Sequence, residues 1–120
     1  MKATIITIGD ELLIGQIIDT NSAWIAQQLN AGGISVHKRV AVADTREAIV
    51  CSLQEELPQA DILLLTGGLG PTADDVTKPV LCDFFGGRLV VDEAVLAHVK
   101  DIFLRRNRPL LERNLKQAEV

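Results

Sequence analysis

Two short, unbroken apolar runs decide most of what this chain can become. Residues 3–8 read ATIITI and residues 62–66 read ILLLT, and each runs straight into glycine, Gly9 in the first case and Gly67-Gly68 in the second. A continuous run of this length, rich in β-branched residues, lacks the polar alternation of a strand with one wet face. It reads as a strand covered on both sides, and strands of that kind build parallel sheets. The second run is the shorter and more apolar, so it is expected to be the central strand.

The intervening segments have helical signatures. Asp19, Thr20 and Asn21 offer N-caps, and Ala23, Trp24, Ile25, Ala26 and Leu29 follow at helical spacing until Gly32-Gly33. Residues 34–42 alternate as a further strand. Asp44 or Thr45 can cap the next helix, with Glu47 placed for a capping box with Asp44 and with Ile49, Val50, Leu53 and Leu57 on one face, until Pro58 closes it. After the second apolar run a helix is expected to restart between Thr72 and Asp75 and run to Phe85, where Gly86-Gly87 stops it. Leu89–Val91 reads as a brief strand or extended link. Asp92 caps a helix reaching Arg106, Pro109 interrupts it, and residues 110–120 read as a last helix with Leu111 and Leu115 inward. The order β-α-β-α-β-α-β-α-α predicts right-handed βαβ units in one α/β domain, a mostly parallel sheet sandwiched between helices. No fifth strand follows, which predicts a C-terminally truncated piece of a longer unit.

Composition narrows the function classes. At 120 residues the chain supports one hydrophobic core, and 48% hydrophobic with 23% charged residues excludes wholesale disorder. Twelve basic against 16 acidic residues weigh against a nucleic-acid partner, and Arg105, Arg106 and Arg108 read as a solvated helix end. No apolar run reaches the roughly 18 residues of a membrane span, and the N-terminus lacks a signal-peptide pattern, so a cytoplasmic protein without a membrane partner is expected. Cys51 and Cys82 read as small buried hydrophobes, His37 and His98 as structural residues, and Trp24 as core or interface packing.

In an open parallel sheet, ligands sit beyond the carboxyl ends of the strands. Two polar clusters stand there: Gly9-Asp10-Glu11, and the segment TGGLGPTADD from Thr66 to Asp75. Three glycines in four residues clear side chains from a strand-to-helix turn, so that backbone N–H groups can meet an anion, with Thr66 and Thr72 adding hydroxyls. Neither the P-loop nor the dinucleotide fingerprint is present. Carboxylates beside a bound phosphate would repel it unless a cation lay between them. That argues for a divalent ion such as Mg²⁺, with Asp10, Glu11, Asp44, Asp74 and Asp75 as candidate oxygen ligands and Asp19 and Asn21 near the same rim.

The whole set, Ile8-Gly9-Asp10-Glu11-Leu12-Leu13, Gly15, Asp19-Thr20-Asn21, Thr66-Gly67-Gly68-Leu69-Gly70-Pro71-Thr72, Asp74-Asp75, Thr77 and the spaced ending Asn114, Gln117, Ala118, resembles the CinA (competence/damage-inducible protein A) family. More broadly it is similar to the molybdopterin-binding domain of MoaB/MogA type. The resemblance covers essentially the whole chain. It implies a three-layer α/β/α fold and metal-dependent hydrolysis of a nucleotide-sugar diphosphate, ADP-ribose giving AMP and ribose 5-phosphate. On that reading Asp75, Asp74 and Asp10 are catalytic, and Thr66, Gly67, Gly68, Leu69, Gly70, Thr72, Asp19 and Asn21 bind the ligand. The alternative is a domain that binds or transfers a pterin phosphate without cleaving it. The exposed apolar edge expected of a truncated sheet predicts a homo-oligomer, a dimer or a trimer.

Overall fold

The computed structural model describes residues 1–120, which divide into two compact units, residues 1–68 and 69–120. The first unit contains strand β1 (Lys2–Ile8), a single-turn helix α1 (Asp10–Leu13), α2 (Thr20–Ala31), β2 (Ser35–Val42), α3 (Arg46–Glu56), a 3₁₀ turn (Leu57–Gln59) and β3 (Ile62–Thr66). The strands form a parallel sheet in the order β2-β1-β3, with Ile5 beside Arg39 on one side and beside Leu64 on the other.

The central strand is therefore β1 and not β3. Ala3, Ile5 and Ile6 are fully buried and Ile8 nearly so, while all five residues of β3 are half-buried. Apolarity alone ranks the ILLLT run first, but the sheet centre is set by which strand has neighbours on both sides. Burying each isoleucine of β1 is worth about 1.5–3 kcal/mol.

Successive residues of a strand point to opposite faces. Lys38 reaches Glu56 of α3, whereas its neighbour Arg39 reaches Ser22 of α2. The two helices thus cover opposite faces of the sheet, and the first unit is by itself an α/β/α layering. Asp19 caps α2 by accepting from the Ser22 amide (3.0 Å), and Thr45, not Asp44, caps α3 by accepting from the Ala48 amide (3.3 Å). Pro58 falls in the 3₁₀ turn, so the regular helix ends at Glu56.

The second unit holds α4 (Thr77–Phe85), α5 (Glu93–Arg105), a short α6 (Glu112–Leu115) and a 3₁₀ turn (Lys116–Ala118). α4 starts later than its sequence suggests. The Asp75 carboxylate accepts from both the amide and the hydroxyl of Thr72, at 3.1 and 2.6 Å, and this folds residues 72–75 into a turn ahead of the helix. The expected final helix over 110–120 is reduced to α6 and the 3₁₀ turn, because the chain end leaves the helix to pair with the segment before α5. Val90 and Val120 exchange both backbone hydrogen bonds (3.0 and 2.9 Å), and the Asp92 amide donates to the Ala118 carbonyl (2.9 Å). The motif Asn114, Gln117, Ala118 belongs to this closure: Ala118 is buried, and the Asn114 side chain accepts from the Leu111 amide.

Two single-residue expectations change and a third narrows. Cys51 is exposed on α3 and Cys82 half-buried, and Trp24, expected in a core or an interface, is 62% exposed on α2 and so not in the core. Helical spacing locates the apolar stripe of α2, but the sheet covers only part of it. No helix of the protein is long and apolar enough to cross a membrane.

Candidate functional site

In the first unit the carboxyl ends of β1 and β3 open onto a cleft of about 120 Å³. Thr7 and Ile8 of β1, Glu11 and Leu12 of α1, Ile17 and Ile18 of the following loop, Asp19, Thr20 and Asn21 at the start of α2, and Thr66 and Gly67 after β3 line it. Of the residues singled out from sequence, five meet here: Glu11, Asp19, Asn21, Thr66 and Gly67. The N-terminal end of α2 borders the cleft, and so brings the positive end of its helix dipole.

Gly67 and Gly68 both have left-handed backbone, with φ of 97° and 62°. At Gly67 the need for glycine is also one of packing. A Cβ built there would stand 2.0 Å from the carbonyl oxygen of Ile8, at the end of the central strand. The close approach of β3 to β1 explains this glycine whether or not a ligand binds.

Asp19 is the most elaborately held side chain of the cleft. Its Oδ2 accepts from the Thr7 hydroxyl (2.8 Å) and the Ser22 hydroxyl (2.5 Å), and its Oδ1 accepts from the Ser22 amide. Burial pushes its pKa up, but the hydrogen bonds from Ser22 and Thr7 and the charge of Arg39 outweigh this and hold it below the usual carboxylate value. Thr7, Ser22 and Arg39 are absent from the sequence-derived site. Thr7 inside ATIITI gave only an ambiguous signal: Thr4 in the same strand is fully buried without a hydroxyl partner.

Asp10 lies on α1 and accepts the Asp44 amide on Oδ1 (3.1 Å), which ties the turn after β1 to the turn after β2. In the second unit Gly70, Thr72 and Asp75 line a separate cleft of about 260 Å³ with Lys78, Lys116 and Glu119. The Lys78 ammonium donates to the Glu119 carbonyl. The bonds from the Thr72 hydroxyl hold Asp75 below the usual carboxylate range against the opposing effect of burial, with help from the Thr72 and Gly70 amides. Asp74 is exposed beside it, ahead of the helix and not in its first turn, and Leu69 is half exposed. No three His, Cys, Asp or Glu side chains gather into a group able to hold a metal ion.

The family described as a probable molybdopterin binding domain matches residues 4–113. A CinA-like protein of Flavobacterium psychrophilum is 47% identical over the whole chain, which covers 29% of that relative, and a putative competence-damage inducible protein of Shouchella clausii is 45% identical with the same coverage. The chain thus spans less than a third of the length of these relatives. Among solved structures, the protein CinA of Thermoplasma acidophilum, described as of unknown function, superposes with a TM-score of 0.84 at 32% identity, covering 99% of this chain and 69% of that one. The molybdopterin biosynthesis enzyme MoaB of Thermus thermophilus superposes with a TM-score of 0.66 at 24% identity, covering 91% and 67%, and shares the fold.

Proposed function

Because this chain belongs to the probable molybdopterin-binding domains, and among them to the CinA-like proteins, we propose that it binds a small phosphate-bearing ligand, a pterin or a nucleotide, at the carboxyl ends of β1 and β3. One observation carries the reading: a single cleft joins the polar residues Asp19 and Asn21 at the start of α2 to the glycine turn after β3. Phosphate is placed against Gly67, Gly68 and the Thr66 hydroxyl, away from the Asp19 carboxylate. Asp19 and Asn21 take the hydroxyl or ring N–H donors of the ligand. A cleft of about 120 Å³ is well below the roughly 300 Å³ of a pocket for a whole small molecule, so it holds one end of the ligand.

Binding is favoured over hydrolysis on chemical grounds. Cleavage of ADP-ribose-type diphosphates by a metal-assisted route needs carboxylates converging on a divalent ion. No three His, Cys, Asp or Glu side chains converge in this way, at Asp10 or at Asp75. Asp10, Glu11 and Asp44 in the first unit, and Asp74 and Asp75 in the second, are the residues to vary if a metal dependence is found.

Calorimetric titration with ADP-ribose, a pterin phosphate and inorganic phosphate tests the proposal, with AMP release followed in Mg²⁺ and in EDTA. Thr66→Val is expected to weaken phosphate-ligand binding about tenfold, the equivalent of one lost charge-assisted hydrogen bond, and Asn21→Ala by about threefold to tenfold, a neutral one. Wild-type affinity in both variants would remove the site from this cleft, and Mg²⁺-dependent AMP release would restore hydrolysis. The exposed run Leu13, Ile14, Ile17 and Ile18 further supports self-association as a dimer or trimer, which light scattering across concentration checks.

A further inference from the structure

Arg39, on β2, lies outside the cleft but is wired to it. Its guanidinium donates from Nε (3.1 Å) and from Nη2 (2.7 Å) to one atom, the Ser22 hydroxyl oxygen. Ser22 is fully buried. A serine hydroxyl has two acceptor positions and one proton. With both acceptor positions filled by the guanidinium fork, the proton has one remaining direction, toward Asp19 Oδ2 at 2.5 Å. The Ser22 amide and the Thr7 hydroxyl complete the grip on the carboxylate.

From this geometry we infer that Arg39 is a positioning residue, which acts through Ser22 to fix the orientation of the Asp19 carboxylate at the cleft. The inference rests on the proposed ligand site for its functional consequence, but the wiring itself does not need a ligand. A carboxylate has about four acceptor positions, and three are taken here, so the relay leaves one for a donor on the ligand. The other groups around Asp19 are few. Arg39 arrives from β2, Thr7 from β1, and Glu11 of α1 borders the same cleft, as do Thr66 of β3 and Asn21 of α2, whose first turn holds no acidic residue.

The fork, not only the charge, is the working part. Arginine presents its N–H groups in a rigid plane, whereas lysine offers a point charge on a flexible stem. Arg39→Lys therefore keeps the attraction to Asp19 but loses the double contact with Ser22.

The test is a carboxyl-carbon NMR titration of Asp19 in the wild-type chain, Arg39→Met, Arg39→Lys, Ser22→Ala and the Arg39→Met/Ser22→Ala double variant. Arg39→Met is expected to raise the Asp19 midpoint by about half a pH unit or more. Arg39→Lys should lie between Met and wild type. Arg39→Met should add little once Ser22 is alanine. An unchanged midpoint in Arg39→Met, an Arg39→Lys titration identical to wild type, or full additivity with Ser22→Ala would each overturn the inference, the last two by reducing Arg39 to a through-space charge. A parallel ADP-ribose titration separates the two levels. Arg39→Met should weaken binding severalfold, and by no more than Asp19→Asn. If Asp19→Asn binds as wild type while the NMR shifts hold, the ligand site fails and the positioning relay stands.

Discussion

Gly67→Ala should cost this protein a large share of its stability, for reasons independent of any ligand. The residue has φ of 97°, and a Cβ there would stand 2.0 Å from the Ile8 carbonyl oxygen, 3.0 Å from its carbon and 3.2 Å from its nitrogen. The left-handed backbone alone costs an alanine about 1–2 kcal/mol. The overlap is with main chain, so no side-chain rotation relieves it. Ile8 is itself held, paired with Val42 in register and followed by the Gly9 amide bonded to the Val42 carbonyl at 3.1 Å. Forcing a methyl into a packed region costs about 1–3 kcal/mol more. The sum is about 2–5 kcal/mol, against the roughly 5–15 kcal/mol that holds a typical domain together.

Gly33→Ala is the internal control. Its φ is 80°, but a Cβ there meets nothing within 4 Å, so only the backbone cost of about 1–2 kcal/mol applies. Urea unfolding followed by far-UV circular dichroism should therefore rank the variants wild type, Gly33→Ala, Gly67→Ala, with the gap between the last two reporting the steric part. A Gly67→Ala chain no less stable than Gly33→Ala would refute the close-approach argument. A binding defect at Gly67 would be confounded by unfolding, and Gly68, with φ of 62°, carries the same backbone cost, so Thr66→Val is the cleaner probe of phosphate binding.

The Asp19 pKa is depressed in the folded chain, so its contribution to stability is complete above the unfolded value of about 4 and is lost as pH falls through the folded value. Asp19→Asn should accordingly flatten the acid limb of a stability-against-pH curve below about pH 4, and an unchanged acid limb would contradict the grip described for Asp19. The Glu56 carboxylate is 1% exposed and pairs with Lys38 at 2.5 Å, while its other oxygen has no partner. Lys38→Met should cost about 2–4 kcal/mol by stranding that charge, and Lys38→Met/Glu56→Gln should recover part of the loss in the same unfolding assay. Asp75→Asn keeps an acceptor for Thr72 in an exposed turn, so its stability cost should stay under about 1 kcal/mol by urea titration. A larger loss would mean that the charge itself holds residues 70–75.

The sequence alone determined the three strands, their parallel character and the helices α2, α3 and α5. ATIITI and ILLLT are too apolar for strands with one fully wet face, and the caps at Asp19, Thr45 and Asp92 act within three residues of where they stand. These are local matters, settled by side-chain volume, branching and the unmet N–H groups of a helix start. Motif spacing likewise showed the family. What the sequence could not decide is which element ends up beside which. The centre of the sheet went to β1 because β2 and β3 both pair with it, a fact of topology that apolarity does not encode. Asp74 and Asp75 precede α4 because one carboxylate found Thr72 first. The pairing of residues 90–92 with 118–120 joins segments a whole helix apart. Thr7, Ser22 and Arg39 lie on three different elements, and only the register that sets Arg39 beside Ile5, together with the alternation of β1, turns them toward one carboxylate. Hydrogen bonds of that kind depend on ångström distances between residues remote in the chain, and tertiary packing alone supplies those distances.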